Sequence, residues 1–172
     1  MDVRQTLKNN RTSLYTPAER SRRDASPWTV VQGVLALAQF VVFLVSVGLI
    51  MRYLATGEGL ALASASVVIK TLVLYVIMIT GSIWEREVFG CYLFARPFFW
   101  EDVVSMVVIA LHTGYLVAYL SGSTPVSLQI SLALAAYTAY AVNATQFVLK
   151  FRAARRESGD ENATMPLPEG GV

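Results

Sequence analysis

Four uninterrupted apolar runs decide what this chain can be. They cover residues 28–54, 60–83, 99–120 and 126–149. Each reaches the roughly 20 residues that an α-helix needs to cross the hydrocarbon of a bilayer. They are too long for ordinary strands, and the short alternating segments of an outer-membrane barrel are absent. The pattern predicts an all-α integral membrane four-helix bundle filling residues 28–150. Composition agrees, because 55% of the 172 residues are hydrophobic and only 15% charged, an apolar excess over soluble domains. A chain of this length is expected to form one domain.

The charges sit outside these runs and give an orientation. Lys and Arg mark the cytoplasmic ends of membrane helices. Arg4, Lys8, Arg11, Arg20, Arg22 and Arg23 precede the first run, Arg86 and Arg96 fall between the second and third, and Lys150, Arg152, Arg155 and Arg156 follow the fourth. The opposite side has Arg52 beside Glu58, and nothing charged in 121–125. Both termini and the central segment are therefore expected in the cytoplasm. The polar arm before the first run, and the length of that run, do not fit a cleavable signal.

Residues 1–27 read as a cytoplasmic basic arm. Within it, Thr16-Pro17-Ala18-Glu19 has the form of a helix start, with Thr16 as cap and Glu19 reaching back. A short cationic surface helix would follow and end at Pro27, suited to an anionic lipid surface. Residues 151–172 turn from basic to acidic and contain Pro and Gly, which predicts a disordered cytoplasmic tail. The single cysteine, Cys91, excludes an internal disulfide and a cysteine-rich metal site. A net charge of +2 gives no reason to expect nucleic acid.

Polar residues inside the runs are the next constraint, because hydrocarbon offers them no hydrogen-bond partner. Gln32, Gln39 and Ser46 recur at intervals of seven and share one face of the first helix, either as interhelical glue or as the lining of a polar cavity. The second helix opens with Ala61, Ala63, Ser64, Ala65 and Ser66, which permit close backbone approach. Lys70 then falls ~15 Å in from the helix start. It needs protein, water or an anion beside it.

Residues 81–112 hold Glu85, Arg86, Glu87, Arg96, Glu101, Asp102 and the only histidine, His112. Trp84, Phe89, Tyr92, Phe94, Phe98, Phe99 and Trp100 surround the carboxylates, as an interfacial anchoring belt or as a collar around a site. Pro97 argues against helix through 94–96, so the chain should turn there and restart at Phe98 or Phe99. Glu101 and Asp102 suit the positive end of the third helix. Glu101, Ser105, His112, Tyr115 and Tyr119 form one stripe, with His112 ~16 Å from Glu101 along the axis. Asn143 and Gln146 lie one turn apart on the fourth helix.

Together these residues describe a polar pocket that opens to the cytoplasm beneath aromatic rings. A carboxyl group sheltered from water can act as a general acid. No nucleophile motif, phosphate loop or zinc pattern is present, so proton transfer is the chemistry that the inventory supports.

The segments LYTPAERSRRDASPWTVVQGVLALAQF, GSIWEREVFGCYLFARPFFWEDVVSM and ALHTGYL closely resemble the 3-vinyl (bacterio)chlorophyllide hydratases of bacteriochlorophyll biosynthesis. The likeness runs over about residues 14–152. It implies a multi-pass hydro-lyase of a photosynthetic bacterium's inner or intracytoplasmic membrane. The reaction it implies adds water across the C3 vinyl group of a magnesium chlorin, giving a 1-hydroxyethyl group, with no redox cofactor and with neighbouring pigment-biosynthesis enzymes as partners. It assigns no residue roles. On the residues themselves, Glu101 or Glu85 is the expected acid, and Asp102 or its neighbour the base that activates water. His112 is the candidate ligand to the substrate's magnesium, no metal of the protein's own being expected. Arg86, Arg96 or Lys70 would pair with a propionate, and Trp84, Trp100 and Asn143 would line the pocket. A non-catalytic pigment-binding or assembly protein is the alternative. A proton-coupled transporter fits less well, since the deep ionisable groups are Lys70 and His112.

Overall fold

The computed structural model describes residues 14–163, with side chains to residue 153. Arg4, Lys8, Arg11 and the end of the tail lie outside the described residues. Among those described there are five helices and no strands: α1 Pro17–Ala25, α2 Pro27–Thr56, α3 Leu60–Phe89, α4 Phe99–Leu120 and α5 Val126–Ala163. Within α2 to α5 lie four segments long and apolar enough to cross a membrane, of 30, 30, 22 and 28 residues. Their outer faces present Val34, Leu37, Leu44, Ile69, Val117 and Leu128 uncovered by the chain, as a lipid-facing surface would.

Short connections make two antiparallel hairpins. α2 packs mainly on α3, and α4 mainly on α5. The first turn is set by Gly57, whose positive φ of 74° ends α2 while its N–H returns to Tyr53 O at 2.8 Å, a conformation that glycine reaches without steric cost. Near that end Ala63, Ala133 and Ala136 are fully buried with Ile50, Val67 and Tyr137, so small side chains let the hairpins close.

The expected capping box is present: Thr16 Oγ1 accepts from Glu19 N–H, and Glu19 accepts from Thr16 N–H. The helix it starts packs against α3. Tyr15 is buried against Phe89 and Phe98. Ser26 caps α2 and donates to Glu87 at 2.6 Å.

Two expected boundaries move. The second spanning helix does not stop at 83 but continues to Phe89, because no breaker precedes Gly90, whose φ of 84° ends it. The fourth does not stop at 149: the backbone stays helical to Ala163, where a disordered tail from 151 was expected. Ala153, Ala154, Arg155, Arg156 and Glu157 are good helix formers and extend a helix already nucleated.

Candidate functional site

Extending α3 to Phe89 puts Glu85 on a helix. Residues two apart point to different sides, so Glu85 is buried while Glu87 is exposed and holds Ser26. Asp102, in the first turn of α4, is buried opposite it. The Glu85 and Asp102 carboxyl groups lie within hydrogen-bonding reach of each other. An ionised carboxylate only accepts, so such a bond requires that one of the two carry a proton.

The loop between α3 and α4 secures this pair. Phe94 takes a left-handed conformation with φ 62°, uncommon for a bulky residue. Its N–H donates to Asp102 Oδ2 at 2.7 Å, and the next N–H, of Ala95, donates to Glu85 Oε2 at 3.2 Å. Two successive backbone donors thus converge on one carboxyl pair, an arrangement suited to a negative charge. Cys91 is exposed in the same loop. Partial burial of its thiol, then the charges of Glu85 and Asp102, push it above the usual thiol range.

Glu101 is separated from this pair by its partner. Lys150 of α5 meets Glu101 Oε2 at 2.6 Å and also donates to Pro97 O. By sequence Lys150 counts as a topology charge at the exit of α5, although it lies seven residues after Asn143 on the same face of that helix. One turn further in, Asn143 Nδ2 donates to Ser105 Oγ at 2.8 Å. The stripe on α4 is confirmed at Glu101, Ser105, His112 and Tyr115, all buried, while Tyr119 is exposed.

The aromatics divide in two. Trp84, Phe89 and Phe98 pack on one another and on Tyr15 and Phe147, closing the end of the bundle, with Trp84 Nε1 donating to Thr29 Oγ1 at 2.9 Å. Tyr92, Phe94, Phe99 and Trp100 stay exposed. Rings of Phe94 and Phe99 lie 5.7 Å apart, and those of Phe99 and Trp100 5.5 Å. Arg86 and Arg96 are exposed. Arg86 sits on the Tyr92 ring and donates to its hydroxyl instead of bridging Glu85 and Glu87.

Lys70 and His112 belong to a different place. Both are fully buried in mid-bundle. Lys70 donates to Gln39 Oε1 and stands 3.5 Å from the centre of the Tyr140 ring. His112 Nδ1 bonds Val108 O at 2.8 Å and its ring lies by Tyr137. The Gln32, Gln39 and Ser46 face acts as glue: Gln32 bonds Thr80, Gln39 bonds Lys70, and Ser46 bonds Ser66 and Tyr137. Among the described residues no group of three or more His, Cys, Asp or Glu could hold a metal ion.

Fold and site together define a multi-pass helical membrane protein with a buried pair of carboxyl groups, Glu85 and Asp102, near one end of its bundle. The family model for 2-vinyl bacteriochlorophyllide hydratase matches residues 15–153. A protein of that name from Cereibacter sphaeroides is 61% identical over 142 residues, covering 83% of this chain and 88% of the relative. Another from Rhodobacter capsulatus is 54% identical over 163 residues, 95% of each chain. No solved structure matches. The chain belongs to the 2-vinyl bacteriochlorophyllide hydratase family, as its resemblance implied.

Proposed function

We propose that this chain adds water across the vinyl group of a chlorophyllide-type magnesium chlorin, with Glu85 and Asp102 as the acid–base pair. The family and its named relatives support the reaction. The contact between the two buried carboxyls, fixed by the Phe94 and Ala95 N–H groups, supports the roles. The proton that the pair shares passes to the terminal vinyl carbon, which becomes a methyl group. The positive charge left on the adjacent carbon is spread into the macrocycle. Water bonds to that carbon, and a carboxylate takes the proton released, so the pair returns to its starting state. The sum is one water added, with no net oxidation or reduction.

Glu101 is the weaker candidate for acid because Lys150 already compensates its charge. The exposed rings of Phe94, Phe99 and Trp100 flank the pair and suit a flat aromatic ligand. Arg96, exposed in the same loop, is assigned to the propionate. Lys70 and His112 are too deeply enclosed to meet the macrocycle in this packing. The carboxyl end carries the basic excess, with Arg22, Arg23, Arg86, Arg96, Lys150 and Arg152 against Arg52 at the other. It therefore faces the cytoplasm of a photosynthetic bacterium.

Membranes containing the full chain, supplied with a vinyl chlorin, should give a product heavier by one water, detected by mass spectrometry. Pigment that binds without gaining that mass would instead mark a carrier. Glu85→Gln and Asp102→Asn should each abolish most of the conversion while leaving pigment binding. Full turnover in either variant would remove it from the acid–base pair.

A further inference from the structure

Next to the carboxyl pair lies a set of polar atoms that the proton transfers leave unused. Ser105 is three residues beyond Asp102 on α4, so their side chains are neighbours on that helix. Across the interface, Asn143 Nδ2 donates to Ser105 Oγ. Asn143 Oδ1 and Gln146 Oε1 are buried without a hydrogen-bond partner among the described residues, and the Asn143 side chain as a whole is more than nine-tenths buried. Turning the Asn143 amide over changes nothing essential, since one heteroatom bonds Ser105 and the other stays bare. The pairing of the helices sets the level of these groups. Ser105 faces Asn143 and Glu101 faces Lys150, so Gln146 stands level with the turn from Glu101 to Ser105. Asp102 lies on that turn.

A buried polar group left unpaired is costly, and in native proteins it is commonly met by an ordered water. Two amide oxygens and a hydroxyl offer about the three contacts that such a water makes. We propose that Asn143, Gln146 and Ser105 hold the water molecule that adds to the vinyl group, one helical turn from the carboxyl that receives its proton. This rests on the reading of Glu85 and Asp102 given above. In a bundle surrounded by lipid, free water is scarce at the reacting carbon, and a held molecule supplies it at high effective concentration. As its oxygen forms the new bond to carbon, one of its O–H groups leaves its amide oxygen and passes that proton to the Asp102 carboxylate. Asn143 and Gln146 are thus positioning residues for the nucleophile.

The test uses the full chain in membranes. Gln146→Leu and Asn143→Leu should each lower kcat by about 10- to 100-fold, with KM for the pigment within about twofold of wild type. Gln146→Glu, which keeps an acceptor oxygen, should retain most of the turnover. In dilute methanol, wild type should give the alcohol alone. Gln146→Ala should add a methyl ether formed when methanol enters in place of the held water. An unchanged kcat and product ratio in the Gln146 variants would overturn the water site, and so would a KM that rises in step with the loss. The Gln146 variants decide alone if Asn143→Leu fails to fold. Asp102→Asn separates the two readings: inactive, it leaves the acid–base pair standing whatever Gln146 does, while full turnover removes both.

Discussion

Two of the buried polar groups of this bundle, one in its middle and one near its end, are satisfied in opposite ways. In mid-bundle, Lys70 is fully buried and forms no ion pair among the described residues. An amide oxygen of Gln39 and the face of Tyr140 are its partners. Near the end, Glu85 and Asp102 are 6% and 4% exposed and have each other, with two backbone N–H groups aimed at them. The first arrangement sets one buried amine among neutral dipoles and ties α2, α3 and α5 together. The second brings together two groups of the same sign, which favours a proton held between them. A structural polar group is built to be quiet, and a pair that must hold a mobile proton is built to exchange it.

Turnover should separate the two regions most. Glu85→Gln or Asp102→Asn should lower it by about 100- to 10,000-fold, the range for loss of a positioned acid or base. Lys70→Met should leave it within about threefold, since no transferred proton passes there. A Lys70→Met enzyme as slow as Glu85→Gln would merge the regions into one site. Glu101→Gln should fall between them, because Lys150 would lose its counter-charge beside the pair.

Stability should separate them the other way. Gln39→Leu strips the accepting oxygen from the buried Lys70 amine and should cost about 2 kcal/mol, read as an earlier unfolding midpoint in detergent. Lys70→Met removes the charge together with its need for a partner, and such replacements are often neutral or stabilising. Equal losses in both variants would mean that Lys70 packs through its stem alone.

The smallest effect concerns Cys91. Its thiol is held above its usual range by partial burial and by the charges of Glu85 and Asp102. Removing a negative charge lowers the thiol pKa and increases the thiolate present at a given pH. Cys91 should therefore be alkylated about threefold faster at pH 8 in the double variant Glu85→Gln/Asp102→Asn, which removes the pair's charge outright, than in wild type. An unchanged rate would place the negative charge elsewhere.

Much of the site was legible because helical periodicity is. The offsets along α4 put Glu101, Ser105, His112 and Tyr115 on one stripe, and they are buried together. The Thr16 cap and the restart after Pro97 followed from local stereochemistry. The grouping of Lys70 and His112 with the carboxylates as a substrate site followed from depth along single helices and from the α4 stripe, which carry no information about which helix faces which. Lys150 was missed for the same reason, since a cation at a helix exit serves topology and pairing equally well.

By itself the sequence determined the four apolar helices, the starts of α1 and α4, and the supply of carboxyls and bases, because each depends on residues within a few turns of one another. The tertiary structure alone decided which carboxyl meets which. Glu85 reaches Asp102 and Glu101 reaches Lys150 only after two hairpins close and Phe94 bends the loop between them. Proton sharing depends on contacts of a few ångströms between different helices, and no spacing within a single helix specifies that distance.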